Sequence, residues 1–395
     1  MTQAPQFSQQ ISSIVEGDDD GWGILYRAKE MKASGQSVTM LAMGDHDFTT
    51  PRPIIDACGA ALDAGRTGYS SIQGIDPLRN LVAKRASAVH GIEVDPACVV
   101  ATVGGQSALF VACMASLDPG DEAIIFEPYY ATYAQTVRAV GGRPVIIGTD
   151  PDAGFQPSPE RIAAAITPRT RAIVINTPNN PTGAVYTRKT LEGIAELCIA
   201  HNIWLISDEV YHTQVYDGAH LSPAGLDGMR ERILIIDSMS KSHAMTGWRA
   251  GWLICPSEAQ AEHIVEYFLT ATHGLPPFIQ LSMRAGLALG AAPEQEIAAR
   301  YRQRRDVAVE TLSQSKRLTV HAPAAAMYVF LDLRGFCQDG NTFAEALLDK
   351  HGVAAMAGES FGVSGTGHLR ISLTAPDEEL RAACKKIAEL ADNWP

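Results

Sequence analysis

The sequence lacks paired cysteines, long apolar runs and any excess of positive charge. Its cysteines lie singly at positions 58, 98, 113, 198, 255, 337 and 384, with no C-x-x-C spacing. We therefore expect neither a metal site nor a disulfide framework. Most of these cysteines lie in apolar runs, as small core residues do. A reducing cytoplasm is the expected location.

Several classes of partner are disfavoured by what is missing. Apolar runs such as Ile233–Ile236 are far shorter than the roughly 20 residues that a membrane-spanning helix needs. The chain opens with polar residues and an acidic segment, Glu16–Asp20, so no signal peptide is predicted. A net charge of -12 argues against nucleic acid as a partner. It leaves open a small anionic ligand held by a few local arginines.

The length and patterning predict two domains, because a chain of 395 residues exceeds one ordinary core. Near-continuous apolar runs alternate with helical patterns in the middle of the chain, which is typical of strands buried on both faces in a mostly parallel α/β sheet. The predicted strands are 99–103, 122–126, 144–147, 171–176, 204–207 and 233–237. We assign residues 44–290 to this large domain.

The remainder of the chain predicts a smaller α+β domain, formed by residues 1–43 and 291–395. A charged helix over Tyr301–Ser313 is followed by strands at Met327–Leu333 and His368–Leu373. A helix over Asp377–Asp392 closes the chain. The N-terminal segment, up to about Ala42, is expected to pack with this domain.

Lys241 follows directly after a predicted buried strand, in the segment Ser238–Trp252. Ligands bind at the carboxyl ends of strands in such sheets. Desolvation there lowers the pKa of a lysine and makes its neutral, nucleophilic amine accessible. Ser238 and Arg249 are suited to an anionic group. For an isolated Ser-x-x-Lys, a solvated lysine and a surface arginine would be the commoner interpretation.

Three further positions indicate charge chemistry. Asp208 follows a buried strand, where a carboxylate needs a cationic partner or donors, although capping the next turn is an alternative. Gly104-Gly105 turns a strand into a helix start, a place that suits phosphate, although this motif is weak alone. Arg370 lies inside an apolar strand, where an arginine rarely occurs without a counter-anion.

Together these segments resemble the class I/II aminotransferases, the fold-type-I enzymes that use pyridoxal 5'-phosphate (PLP). The segment SMSKSHAMTGWRAGW is similar to the family's cofactor-lysine signature, and four other segments match in the family's order between about Gly44 and Arg370. The resemblance implies a three-layer α/β/α large domain. It also implies transfer of an amino group from an L-amino acid to a 2-oxo acid through a pyridoxamine-phosphate intermediate.

The resemblance implies a role for each residue around the cofactor ring. Lys241 would hold PLP as a Schiff base and carry the proton between the substrate and the cofactor. Asp208 would pair with the protonated ring nitrogen. Tyr211 and Asn180 would donate to the phenolic oxygen, and Tyr130 would stack on the ring.

The phosphate and the second subunit are assigned in the same way. The backbone amides of Gly105 and Gln106, with Ser238 and Arg249, would bind the phosphate. Tyr69 matches a tyrosine that reaches the phosphate of the neighbouring protomer's cofactor. The resemblance therefore implies a homodimer with active sites at its interface.

Arg370 would grip the α-carboxylate of the substrate, with Gly44 offering a backbone N–H and Asn180 lying beside it. The sequence departs from the family's pattern in two segments. It reads Gly44–Phe48 as GDHDF where relatives often have Gly-Glu-Pro-Asp-Phe, so His46 replaces a proline, either to touch substrate or as a loop residue. Residues 325–328 are AAMY where relatives often have Gly-Ala-Phe-Tyr, which puts the local backbone in question.

The loop 272–280 bears on the substrate side chain. Relatives that bind dicarboxylates can carry a second arginine there, and this chain has none. Leu275 and Phe278 predict instead a neutral or hydrophobic amino-acid side chain.

Three other functions remain open at this point. A PLP-dependent carbon–sulfur lyase of the same fold would use the same cofactor residues. A PLP-sensing regulator without turnover would carry a DNA-binding domain at its N-terminus, whereas only about 40 residues, acidic in balance, precede Gly44 here. The weakest alternative is an α/β binding protein without a cofactor.

Overall fold

The computed structural model describes residues 5–15 and 22–395, so the acidic segment Glu16–Asp20 lies outside the described residues. The helices are α1 Gln9–Ser12, α2 Gly23–Ala33, α3 Arg52–Asp63, α4 Asp76–His90, α5 Gly104–Ser116, α6 Thr132–Ala139, α7 Pro159–Ala165, α8 Arg188–His201, α9 Met239–Ser242, α10 Glu258–Ala271, α11 Pro277–Ala288, α12 Ala292–Leu312, α13 Gly340–His351 and α14 Asp377–Asp392. The strands are β1 Thr39–Met40, β2 Val99–Val103, β3 Glu122–Glu127, β4 Arg143–Gly148, β5 Thr170–Asn176, β6 Trp204–Asp208, β7 Ile233–Ser238, β8 Ala250–Ile254, β9 Tyr328–Asp332, β10 Val353–Ala354, β11 Met356–Ala357 and β12 His368–Ser372. Within the described ranges, no helix has the length and apolar character to cross a membrane.

The central sheet has seven strands in the order β2-β8-β7-β6-β5-β3-β4. Five neighbours, β7, β6, β5, β3 and β4, pair in parallel. Strand β8 alone runs antiparallel, to both β2 and β7. The predicted mostly parallel sheet is therefore confirmed.

Both faces of this sheet are covered, which explains the near-continuous apolar runs. Successive side chains of a strand point to opposite faces. In β5, Ile173 and Ile175 join a buried cluster with α4, α8 and α11. Ala172 and Val174 join a second cluster with α5, α6 and α10. The strands thus form the middle of three layers, as expected.

A three-stranded antiparallel sheet, β11-β12-β9, forms a separate unit with α12 and α14. Strand β1 from the N-terminal segment pairs in parallel with β10. Leu25 and Ala28 of α2 share a buried cluster with Leu348 and Met356. The N-terminal segment therefore packs with the C-terminal part. The boundaries at 44 and 290 remain a prediction that this packing supports.

The sheet brings three polar residues to one edge. Asn176, Asp208 and Ser238 are the last residues of β5, β6 and β7. Because these strands are adjacent and parallel, their carboxyl ends coincide. The first turn of α5 lies at the same edge and packs directly against β8. The approach is so close that a Cβ on Gly251 of β8 would lie 2.7 Å from the carbonyl carbon of Gly104.

Candidate active site

A cleft of about 470 Å³ opens at this edge of the sheet. Its size falls within the range of small-molecule sites. Nearly all the site residues predicted from the sequence line it, namely Gly44, Gly105, Gln106, Tyr130, Asn180, Asp208, Tyr211, Ser238, Lys241, Arg249 and Arg370. Tyr69 does not.

Lys241 reaches into the cleft from α9, a short helix that begins directly after β7. Its Nζ donates a hydrogen bond to the carbonyl oxygen of Gly44. Among residues 5–15 and 22–395, no carboxylate forms an ion pair with it. The amine is therefore held in place by a neutral acceptor and stays available to an electrophile.

Asp208 ends β6 and is buried. The hydroxyl of Tyr133 donates to its Oδ2 at 2.6 Å, and the backbone N–H of Val210 lies 3.3 Å from its Oδ1. Burial raises the pKa of Asp208 to about 6, outweighing the hydrogen bond from Tyr133. A cation placed opposite this carboxylate would restore its ionised form.

An anion site lies at the start of α5. The first N–H groups of a helix have no partner within the helix, so those of Gly105 and Gln106 are free to bind an anion. Arg249 lies so close that a Cβ on Gly104 would overlap its guanidinium. The Ser238 hydroxyl is 3.8 Å from the corresponding Cβ position on Gly105. Donors and positive charge thus converge as a phosphate requires.

The Gln106 side chain itself is directed elsewhere. Its amide oxygen accepts from Thr132 at 2.9 Å, and its Nε2 donates to Thr136 at 3.1 Å. Its backbone amide is the group that the resemblance assigns to the phosphate, and that role remains a prediction. Tyr130 lines the cleft nearby and packs edge-on against Tyr133, with ring centroids 5.8 Å apart.

Asn180 and Tyr211 belong to one network of hydrogen bonds. Arg370 donates to Oδ1 of Asn180 at 3.1 Å, which leaves the Asn180 NH₂ group as a donor. The hydroxyl of Tyr211 lies 2.9 Å from that of Tyr328. Burial raises the pKa of Tyr211 well above its ordinary value, so this hydroxyl keeps its proton.

Arg370 is only 2% exposed, yet no carboxylate pairs with it in the part of the chain described. Its Nη2 donates to the carbonyl of Ala42, and its Nε has no hydrogen-bond partner among the described residues. The guanidinium lies 4.5 Å from the ring centroid of Tyr328 and 4.7 Å from that of Phe361. A buried cation without a counter-ion is costly unless a ligand supplies the negative charge.

The loop at Gly44 closes this end of the cleft. A side chain at Gly44 is impossible without movement, because a Cβ there would overlap the Tyr328 hydroxyl. His46 does not line the cleft: its Nε2 lies 3.1 Å from the carbonyl oxygen of Ser240 and its Nδ1 lies 2.8 Å from the hydroxyl of Tyr301. The substrate contact considered for His46 is therefore not made, and the residue is fixed within the loop.

Three of the cleft residues that were not predicted are Tyr133, Tyr328 and Trp22. Tyr133 lies in the first turn of α6, and no local pattern indicated its contact with Asp208. Tyr328 lies in the segment that departs from the family. The backbone of this segment is held by a hydrogen bond that the Tyr216 hydroxyl donates to the carbonyl of Ala326. The φ angle of Ala326 is positive, at 64°. Trp22 carries no sequence signal for a site.

The interpretation of the loop 272–280 was wrong for Leu275. This side chain is buried in the large-domain core, because the loop turns it inward beneath α11. Neither Leu275 nor Phe278 lines the cleft of the same chain. Tyr69 is 88% exposed and packs edge-on against His273, with centroids 4.5 Å apart. Within one chain it touches none of the cofactor residues.

The arrangement fits PLP at each polar position. Asp208 is a buried carboxylate suited to a protonated ring nitrogen, and the start of α5 with Arg249 forms a cradle for a phosphate. Lys241 and the buried Arg370 line the same cleft as these two groups.

The chain is similar to known proteins along nearly its whole length. A profile of the family described as aminotransferase class I and II matches residues 36–387. The chain is 42% identical to the arginine–pyruvate transaminase AruH of Pseudomonas aeruginosa, over 97% of each protein. It is 37% identical to the aspartate/prephenate aminotransferase of Thermus thermophilus, over 92% of this chain and 94% of that protein. The solved structure of a Thermus thermophilus aspartate aminotransferase mutant matches with a TM-score of 0.92 and 35% identity, over 98% of this chain and 100% of the other.

Proposed function

The chain belongs to the class I and II aminotransferase family, and from this premise we propose how its own residues move an amino group from an L-amino acid to a 2-oxo acid. It is a PLP-dependent aminotransferase. When bound, PLP supplies an electron-poor ring that draws negative charge away from the carbon bearing the substrate's amino group. The roles of individual residues, the subunit arrangement and the substrates are our proposals.

The observation that carries the proposal is Arg370, a buried guanidinium without a carboxylate partner in the described chain. It shares a cleft with a second anion site at Arg249, and Lys241 lines the same cleft. An amino acid whose α-carboxylate is bound by Arg370 would present its Cα toward Lys241. This geometry supports a substrate with an α-carboxylate rather than an amine without one.

Lys241 has two tasks in this proposal. Its Nζ would hold PLP covalently in the resting protein. When it is not attached, the same amine would take the proton from the substrate Cα and act as the proton carrier. The carbonyl of Gly44, which accepts from Nζ, orients the amine for that transfer.

The surrounding residues hold charge in place. Asp208 pairs with the ring nitrogen proton, and Tyr133 fixes the carboxylate that does so. Tyr211 and the NH₂ group of Asn180 donate to the phenolic oxygen. Ser238, Arg249 and the first amides of α5 bind the phosphate, so the cofactor stays bound when Lys241 is released.

The donor and acceptor are not fixed by these contacts. One relative is named for arginine and pyruvate and another for aspartate and prephenate, so these compounds head the panel to be tested. Because Leu275 is a core residue, the predicted preference for a neutral or hydrophobic side chain has lost one of its two supports.

The test is a half-reaction. Purified protein loaded with PLP is mixed with each L-amino acid in the absence of any oxo acid, and the absorption spectrum is followed. A true donor converts the long-wavelength band to a shorter-wavelength form, and a 2-oxo acid restores it. If pyruvate and ammonia accumulate from a cysteine conjugate while the band persists, the carbon–sulfur lyase alternative is correct instead.

We also propose a homodimer in which Tyr69 completes the neighbour's site. Its 88% exposure in a single chain supports this, because the side chain is accessible to a second chain. The test mixes two inactive chains, Tyr69→Ala and Lys241→Ala. If Tyr69 acts across the interface, the hybrid dimer contains one complete site and activity returns. No recovery despite hybrid formation would show that Tyr69 does not act across it.

The cytoplasmic location remains a proposal. It is supported by the cysteines, all seven of which are free. Fractionation of the native cell, with the protein detected by antibody, would test it directly.

A further inference from the structure

The loop Gly44–His46 contacts both the side chain of Lys241 and the peptide group that precedes this lysine. The carbonyl of Gly44 accepts from the tip of the side chain, Nζ of Lys241. The ring of His46 lies 3.1 Å through Nε2 from the carbonyl oxygen of Ser240, the residue before Lys241. One short loop therefore contacts both the amine and the adjoining peptide group.

The protonation of His46 follows from its two partners. A carbonyl oxygen can only accept, so Nε2 carries the proton and donates to Ser240. Nδ1 is then an acceptor, and the hydroxyl of Tyr301, 2.8 Å away, donates a hydrogen bond to it. The rings of His46, Phe48 and Tyr301 also form one cluster, with centroid distances of 4.9 Å from His46 to Phe48, 5.6 Å from His46 to Tyr301 and 6.0 Å from Phe48 to Tyr301. Both ring nitrogens are thus used, and the ring is packed against two aromatic neighbours.

The electrostatic surroundings keep this tautomer neutral. Burial, and then the charge of Lys241, lower the pKa of His46 to about 4, although Asp45 and Asp47 act in the opposite direction. Asp47 is itself paired with Arg304, which weakens its influence on the ring. The ring therefore donates to Ser240 throughout the neutral pH range.

The helix that carries Lys241 needs such support. With only four residues, α9 is too short to satisfy its own backbone groups. Side chains from elsewhere bind the carbonyls on both sides of the lysine: His46 binds that of Ser240, and Nε2 of Gln214 donates to that of Lys241 at 3.0 Å. The direction of the Lys241 side chain depends on these two peptide groups.

We propose that His46 is a positioning residue for Lys241, which it holds through the carbonyl of Ser240 while Tyr301 fixes the ring. This inference rests on the proposed role of Lys241 as the cofactor lysine. Its consequence is a hydrogen-bonded chain from α12 through His46 to α9, so the placement of the reactive amine depends on a residue that does not line the cleft.

The test uses a matched pair of neutral amides. In His46→Gln the side-chain NH₂ can reach the position of Nε2 and keep the donor, whereas in His46→Asn it is too short to do so. Tyr301→Phe probes the other side of the ring, because it removes the hydroxyl that donates to Nδ1. The ring proton can then move from Nε2 to Nδ1, which removes the donor to Ser240. Thermal melts select variants that remain folded.

The first readout needs no cofactor. Apoprotein is reductively methylated, and the labelling of Lys241 is compared by mass spectrometry with that of exposed Lys189. We expect the Lys241/Lys189 labelling ratio to rise about 2- to 10-fold in His46→Asn, the effect of one lost hydrogen bond. His46→Gln should stay within a factor of about two of the wild type, and Tyr301→Phe should fall between them.

The second readout is the pH titration of the absorption band in the loaded protein. Its midpoint should shift in His46→Asn and be restored in His46→Gln. Equal labelling and equal midpoints in both variants and the wild type would overturn the inference while leaving the proposed function intact. If the wild type gives no band, the proposed function fails, and the apoprotein labelling still decides the role of His46.

Discussion

Asp208 is the basis of a prediction that separates its effect on the stability of the apoprotein from its role in binding PLP. Without a ligand, its carboxylate is buried, with Tyr133 and the amide of Val210 as its donors among the described residues, and its pKa is raised from 3.8 to about 6. We predict that Asp208→Asn stabilises the apoprotein at pH 8. In the variant, the amide oxygen can accept from Val210 and the NH₂ group can donate to the Tyr133 oxygen.

The sign follows from proton linkage. A carboxyl whose pKa is higher in the folded state than in the unfolded state destabilises the fold when ionised, so this penalty is absent well below pH 4 and complete above pH 6. A difference of about two pKa units corresponds to about 3 kcal/mol at pH 8. About 1 kcal/mol of it is already present at pH 4.5, because the unfolded carboxyl is ionised there.

The expected signal is therefore the change between two pH values. Relative to wild type, the variant apoprotein should gain about 2 kcal/mol on going from pH 4.5 to pH 8. For a chain of this length that is about 2–3 °C in Tm. Calorimetry of both apoproteins at the two pH values measures it.

The cofactor-loaded protein provides the control. There the carboxylate pairs with the ring nitrogen, so Asp208→Asn should weaken PLP retention and lower Tm. The reasoning is refuted if the Tm difference between the two apoproteins is the same at pH 4.5 and pH 8, because Asp208 would then not be destabilised by burial.

Two further predictions concern the anion sites. Arg370→Lys keeps a positive charge but loses the bidentate donor. We expect kcat/KM for the amino donor to fall about 30- to 150-fold, or about 2–3 kcal/mol, while the absorption band stays unchanged. A loss smaller than about 5-fold would contradict carboxylate binding by Arg370. Gly104→Ala places a Cβ on the guanidinium of Arg249 at a backbone φ of +73°, so equilibrium dialysis should show PLP affinity reduced at least about 10-fold, or about 1.4 kcal/mol. Its control is Gly59→Ala in α3, where a Cβ meets nothing within 4 Å and helix propensity predicts a stabilisation of about 0.5–1 kcal/mol; equal PLP affinity in both variants would contradict the prediction.

The sheet was predictable because its strands are buried on both faces. Continuous apolar runs predicted six of its seven strands to within a few residues. Strand β8 was missed, since its first three residues belong to the segment already interpreted as the cofactor-lysine motif. Helix α5 begins at Gly104, because the glycine turn is itself the first turn of the helix.

The chemistry of the cleft was predictable where a residue type is costly without a ligand. Lysine and aspartate after buried strands and arginine inside an apolar strand are such cases, and Lys241, Asp208 and Arg370 all line the cleft. The support around them was not predictable. Tyr133 meets Asp208 across 75 positions of the sequence, and no local pattern encodes that contact.

Long-range placement accounts for the remaining differences. Leu275 lies in a loop near the domain junction, and only the packing of α11 against the large domain decides that it points inward. His46 contacts Ser240 across 194 positions of the sequence. The role proposed for Tyr69 requires a second chain, so a single sequence can suggest it only through resemblance.

The measurement that tests the central claim most directly is the location of the covalent attachment. Loaded protein is reduced with borohydride, digested and analysed by mass spectrometry, which makes the lysine–cofactor bond permanent and shows which peptide carries it. We predict that the pyridoxyl mass is found on the peptide containing Lys241, and that Lys241→Ala carries none. Attachment to any other lysine, or no attachment after incubation with PLP, would contradict the account.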